Sequence, residues 1–337
     1  MIRNDPGYKQ YHLVNEMYEA AEYINGFDTE IIKKFVENSA KDLPLMLTGE
    51  GSSRLFPAKN AVHRRLSLEN GPLVLTESAT DLSDKNLGDF AVIGASNSGK
   101  TKELINLFRK LRNTGHRHLY GLSCTPGSLL EEFAGKTHVF DAGGEKAVAA
   151  TKSVVAQALF YDMILSSRYK NYTINTGELS AQFEQTLNGQ VDTPITDAVS
   201  KAEMIYFTGN NNGVAEELTL KTNEIIRKKS AYLPGTYLLH GVEEVVTPND
   251  VVIMIDAYPD EFEKIRSIYS RLIGATVIVL SATSTPFHTI SIPSVTPVNE
   301  PYIKLAAGWN LLVEAGIRLG INPDKPERAR KIGNEAI

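Results

Sequence analysis

Residues that crosslink, ligate or anchor a chain are scarce here. There is one cysteine, Cys124, in 337 residues, which excludes an intrachain disulfide and a thiolate zinc cage. No run of about 18 uncharged apolar residues occurs, so no membrane-spanning helix is expected. The opening MIRNDPGYKQ carries no apolar signal-peptide region, and a cytoplasmic location is expected. A G-x-G-x-x-G turn is missing, which removes the dinucleotide fingerprint. Positive charge is not in excess: 35 Lys and Arg stand against 40 Asp and Glu, a net charge of −5. A broad nucleic-acid or anionic-membrane face is excluded on that balance, although a local basic pocket is not. His116 and His118 have the spacing of two ligands on a strand but no acidic residue beside them, so no metal is expected there, and no cofactor is implied elsewhere.

What is present is a globular composition, 42% hydrophobic and 22% charged. The length suits two domains of about 150 residues. Helical spacing of apolar residues marks Tyr11 to Tyr23 and Thr29 to Asn38 as an N-terminal helical arm over residues 1–40. Short apolar runs follow at Leu43–Thr48, Leu73–Thr76, Phe90–Ile93, Leu119–Leu122 and His138–Phe140, with helical patterns between several of them, the clearest being Thr101–Leu111. A longer helix is expected from Ala149 to Tyr169. Strands alternating with helices imply an α/β fold with a parallel sheet covered on both faces. Lys170 to Pro194 is polar, holds one helical pattern at Glu178–Leu187, and reads as a connector.

The pattern then restarts. MIYFTG at Met204–Gly209 echoes LMLTG at Leu45–Gly49, with Thr208 and Thr48 separated by 160 residues. Asp250 before VVIMID echoes Asp89 before FAVIG at a separation of 161, and Leu280-Ser281 echoes Leu122-Ser123 at 158. Such constant offsets predict a duplicated domain, with halves over residues 41–175 and 195–322 and a tail over 323–337.

Gly94-Ala95-Ser96-Asn97-Ser98-Gly99-Lys100-Thr101 fits the phosphate-loop pattern G-x-x-x-x-G-K-[ST], after a strand and before a helix. Any such turn offers unpaired N–H groups and a positive dipole end, so a phosphate-sized anion site is expected whatever carries the phosphate. Ser96, Ser98 and Thr101 make this loop rich in hydroxyls, which suits the grip of a single terminal phosphate. In the second copy Asp256-Ala257-Tyr258-Pro259-Asp260 stands where the loop should be. Two carboxylates and a proline do not cradle an anion, so one phosphate site per chain is expected.

The stretch from Ser96 to Glu103, S-x-S-G-x-T-x-E, resembles the phosphosugar loop of the sugar isomerase (SIS) domain family. Four further segments resemble that family in order. Gly49–Ser53 is similar to its first Gly/Ser turn. Glu145-Lys146-Ala147-Val148-Ala149-Ala150-Thr151-Lys152 is similar to the E-x-G-V-A-S-T-K segment in the isomerase half of glucosamine-6-phosphate synthase. Glu224 and His240 stand 16 residues apart, as the catalytic Glu and ring-opening His do in that enzyme. Asp324 to Lys331 is similar to its C-terminal D-x-P-x-x-L-A-K. The chain departs from the pattern at Tyr237, where the family has an acidic residue, at Val242 after His-Gly, and at Ala150.

The resemblance implies two tandem α/β/α sandwiches with parallel five-stranded sheets, the C-terminal tail lying over the active site, usually as a homodimer. It implies that Ser52, Ser53, Ser96, Asn97, Ser98 and Thr101 hold a phosphate, with positive potential added by Lys100 and Arg54. Val148 and Ala149 would meet the sugar through backbone groups. Glu224 would move a proton between C1 and C2 through an enediol or enolamine. His240, reaching across the dimer, would open a cyclic sugar. Lys331 would orient a hydroxyl or form a Schiff base. Lys221, one turn before Glu224, would contact the sugar or tune that carboxylate. The implied activity is that of a phosphosugar isomerase or amino-sugar phosphate deaminase, with a fructosamine-6-phosphate deglycase as the alternative. A non-catalytic phosphosugar-binding regulator and a phosphate-loop NTPase are the readings from other classes. No cysteine follows Met1, so no glutamine-hydrolysing half is expected on this chain, which favours degradation over synthesis.

Overall fold

The computed structural model describes residues 1–35, 40–169, 172–331 and 334–336. Near the N-terminus, helix α1 (His12–Asn25) repeats apolar residues at helical spacing and buries Leu13, Val14, Met17, Tyr18, Ala21 and Ile24. Its apolar face is packed into the central core. The helix expected over Thr29–Asn38 is seen at Glu30–Phe35, and its expected end lies outside the described residues.

The first half alternates as its sequence requires. Strand β1 (Leu45–Gly49) is followed by helix α2 (Leu55–Leu66) and strand β2 (Val74–Ser78). Strand β3 (Ala91–Ala95) leads into helix α3 (Lys102–Asn113), then β4 (Leu119–Ser123), β5 (Lys136–Val139) and helix α4 (Lys152–Arg168). β1, β3 and β4 are buried at every residue, which is why they read as unbroken apolar runs instead of alternating ones.

The connector is more structured than its polarity suggested. Helix α5 (Thr176–Leu187) buries Leu179, Phe183 and Leu187, and helix α6 (Thr193–Lys201) starts with Pro194 in its first turn. The second half runs β6 (Met204–Gly209), helix α7 (Val214–Lys221), β7 (Lys229–Pro234), β8 (Val251–Met254), β9 (Thr276–Ser281), β10 (His288–Ser291) and helix α8 (Glu300–Arg318).

The two sheets have the same topology. The first is ordered β2-β1-β3-β4-β5 and the second β7-β6-β8-β9-β10, and every pairing is parallel. Relative to the first strand of each half, both orders read 2-1-3-4-5, as the constant offsets predict. The largest apolar cluster joins the halves, from Leu13 and Ile93 to Ile253 and Trp309. A smaller cluster covers the other face of each sheet, through Leu104 and Phe108 in the first half and Ile265 and Tyr269 in the second.

One polar cluster is sealed inside. Asp162 of α4, with no exposed surface, pairs with Arg64 of α2 at 2.9 Å and accepts from Tyr302 of α8 at 2.7 Å and Tyr172 at 2.8 Å. It ties the helices of both halves together. Where the halves touch, Gly213 (φ +85°) lies so close to α2 that a Cβ would stand 2.3 Å from the Leu55 carbonyl, and only glycine fits that backbone. Among the described residues no helix is long and apolar enough to cross a membrane.

Candidate active site

In a 2-1-3-4-5 sheet, chain connections leave β1 and β3 in opposite directions, opening a crevice at their carboxyl ends. In the first half that crevice receives the turn Gly51–Ser53 after β1 and the segment Ser96–Thr101 after β3. It forms a cleft of about 560 Å³, within the usual range for small-molecule sites. Ser52, Ser53, Ser96, Asn97, Ser98 and Thr101 all line it. Gly99 takes φ +62°, where a Cβ would collide with the Ser128 side chain at 2.2 Å. The turn is therefore fixed by a residue that only glycine satisfies.

The hydroxyls are held in place by one another and by backbone. Ser96 is buried and its Oγ lies 2.8 Å from Thr101 Oγ1. Ser98 Oγ accepts from Lys100 N at 3.2 Å, which leaves the hydroxyl proton free to donate. Lys100 is exposed and does not line the cleft, unlike the phosphate-gripping lysine of an NTPase loop.

Glu224 enters the same cleft from the second half. The helical stretch read over Leu218–Ile226 is α-helical only to Lys221 and becomes a π-helix over Thr222–Ile226, a wide turn often found at functional sites. Glu217, Lys221 and Glu224 fall on one face. Lys221 Nζ is 3.1 Å from Glu217, 2.7 Å from Glu224 and donates to Ser52 Oγ at 2.8 Å. Burial alone would lower the Lys221 pKa, but the two carboxylates outweigh it and hold the amine charged. Burial pushes Glu217 above the ordinary carboxylate value despite Lys221. Lys221 has no exposed surface and does not line the cleft: it sits behind Glu224 and braces it.

The C-terminal tail closes the opposite side. Asp324 accepts from His12 N at 2.7 Å and Leu13 N at 2.9 Å, capping α1 from the far end of the chain. Arg227, in the left-handed region at φ 57°, donates to the Lys325 carbonyl at 2.6 Å. Lys331 lines the cleft and reaches Glu145 at 3.0 Å. Beyond it, Ala336 N donates to the Lys100 carbonyl at 2.9 Å, and Glu335 bridges Thr101 in antiparallel fashion.

Glu145, almost fully buried, also accepts from Asn97 Nδ2 at 2.8 Å, Thr151 N at 2.9 Å and Ser153 N at 3.0 Å. Burial would raise its pKa, but Lys331 and these N–H groups keep it below the ordinary value. Val148 lines the cleft, whereas Ala149 is buried and does not. Arg54 points to Glu77, 3.8 Å away.

His240 is not brought to this cleft within the chain. It lies exposed, next to the short turn Tyr237–Leu239 after β7. At the second half's crevice, Asp256 stands where Ser96 stands in the first. Its carboxylate accepts from Asn210 N at 2.9 Å and pairs with Lys304 at 2.6 Å. An internal ion pair occupies that position. Sequence reasoning passed over Glu217 and Glu145 as site residues. The i, i+4, i+7 spacing of Glu217, Lys221 and Glu224 carried the first signal, and the segment beginning at Glu145 carried the second.

No protein-family model matches the chain. A glutamine–fructose-6-phosphate aminotransferase from Aeropyrum pernix is 24% identical over 315 residues, covering 85% of this chain and 50% of that protein. The chain spans about half the length of the curated relatives it matches. A glucosamine-6-phosphate deaminase from Thermotoga maritima superposes with a TM-score of 0.72 at 20% identity, over 95% of this chain and 98% of that one. A tagatose-6-phosphate ketose/aldose isomerase from Escherichia coli superposes with a TM-score of 0.77 at 16% identity, over 96% and 97%.

Proposed function

We infer that the chain works as the sugar isomerase domain proteins do, a family that it resembles along nearly its whole length and whose tandem α/β fold it has. We propose that it is an enzyme acting on a ketose or amino-sugar 6-phosphate, as an aldose–ketose isomerase or an amino-sugar phosphate deaminase. The observation that carries this reading is that the hydroxyl-rich turn, Glu224 and Lys331 face one cleft although they come from the first half, the second half and the tail.

In this mechanism the 6-phosphate rests on Ser52, Ser53, Ser96, Asn97, Ser98 and Thr101 and sets the sugar's register. Glu224, braced by Lys221, takes the proton from one of C1 and C2 and returns it to the other, through an enediol or enolamine. The Glu145 carboxylate holds the Lys331 amine at the cleft, ready to pair with an oxygen that gains charge. His240 of a second copy opens the ring by moving a proton between the ring oxygen and the anomeric hydroxyl. Known relatives and neighbours carrying out transfer, deamination and isomerisation of hexose 6-phosphates support this set of reactions. Cleavage of a fructosamine 6-phosphate uses the same groups.

The test is proton exchange. The chain is incubated in deuterated water with fructose 6-phosphate and, separately, glucosamine 6-phosphate, and the sugar is weighed by mass spectrometry. Label at C1 or C2 is expected. Binding of the sugar phosphate without exchange favours a regulator. A thermal shift with ATP and magnesium but none with either sugar overturns the reading.

A further inference from the structure

Glu16 lies outside the cleft yet is connected to two of its walls, the segment 145–150 and the C-terminal tail. It sits on α1, almost fully buried. Its Oε1 accepts from the backbone N–H groups of Lys146 and, at 3.3 Å, Ala147. Its Oε2 has no hydrogen-bond partner among the described residues. A buried carboxylate with one unmatched oxygen is costly, and its only visible return is the fixed position of those two N–H groups.

They belong to the segment 145–150. That segment begins with Glu145, which holds Lys331, and contains Val148 and Ala150, which line the cleft. One turn further along α1, Glu19 takes Lys152 at 2.6 Å. At the start of α1, Asp324 fastens the tail. So one helix anchors the segment by Glu16 and the tail by its first N–H groups, and the two anchored pieces meet again at Glu145 and Lys331.

We propose that Glu16 is a positioning residue for the sugar end of the cleft. It sets where the backbone of 145–150 and the Lys331 amine stand, without touching the ligand. This rests on the phosphosugar reading above.

The test compares wild type with Glu16→Ala and Glu16→Gln by calorimetry, using fructose 6-phosphate and inorganic phosphate as probes. Glu16→Ala is expected to weaken the sugar phosphate by about tenfold to a hundredfold. Inorganic phosphate, which meets only the hydroxyl-rich turn, should bind within about twofold of wild type. Glu16→Gln keeps the acceptor oxygen and should restore most of the loss. Where Glu16→Ala does not fold, Glu16→Asp withdraws the carboxylate by one methylene and should show the same selective loss.

Backbone hydrogen exchange gives a reading free of the ligand: peptides over 144–151 should exchange faster in Glu16→Ala, while those within α4 stay unchanged. Equal weakening of both probes, or unchanged sugar affinity with unchanged exchange, overturns the assignment. Wild type binding fructose 6-phosphate no better than phosphate overturns the functional reading alone, and the exchange result still judges the role of Glu16.

Discussion

The Lys221 amine lies 2.7 Å from the Glu224 carboxylate, with Glu217 at 3.1 Å on its other side. The proposed proton carrier is thereby joined to a buried cation that cannot swing away, because Lys221 is enclosed and also bound to Ser52. Ser52 belongs to the turn after β1, so the proposed base and the proposed phosphate site share one brace.

Glu224→Gln keeps the shape and removes the proposed base. Turnover should fall about 10²–10⁴-fold, with inorganic phosphate affinity unchanged in calorimetry. Lys221→Met differs: it strands Glu217 in the interior, and urea melts should show a loss of about 3–5 kcal/mol.

Ser98→Ala should act on binding first. One hydrogen bond to a charged phosphate is lost, about 0.5–3 kcal/mol, seen as a raised Kd for fructose 6-phosphate with the folded chain otherwise unaltered. If turnover fell while affinity held, the roles assigned to Ser98 and Glu224 would be exchanged.

His240 is tested by complementation. Chains carrying Glu224→Gln and chains carrying His240→Ala should each be inactive. In the proposed dimer, mixed refolding pairs one of each in half the dimers, and each of these holds one intact site. Activity should recover to about a quarter of wild type. No recovery removes His240 from the partner's site.

The Glu16 carboxyl gives a pH signature. Burial raises its pKa from the ordinary 4.5 to about 7, with Glu145 adding to the rise. A raised value in the folded state means that the fold binds the extra proton between those two values, so stability falls as pH rises through that window. The contribution is fully present below about 4.5 and lost as pH passes 7. Melting temperatures of wild type should therefore decline, relative to Glu16→Gln, between pH 5 and pH 7.5. Parallel curves would show that Glu16 does not titrate in that window.

Asp162→Ala probes the seam between the halves. It leaves the buried Arg64 guanidinium without its carboxylate, and a loss of about 3–5 kcal/mol is expected in denaturant melts. A change under 1 kcal/mol would mean that water or a neighbour compensates.

The sequence by itself determined the repeat and the alternation. β1, β3, β4, β6 and β8 are apolar without interruption because both faces of a parallel sheet are covered, and the 158- to 161-residue offsets followed from a shared 2-1-3-4-5 order. It determined the hydroxyl-rich turn as well, since Gly99 and the serines around it are local features. Only the tertiary structure decided what stands across from that turn. Glu145 and Lys331 are 186 residues apart and Asp324 caps a helix 312 residues away, and no local pattern encodes such meetings. Asp162, Glu16 and Glu217 carry no local mark of their burial for the same reason. A charge is read from its letter, but its burial is fixed by what other segments bring against it.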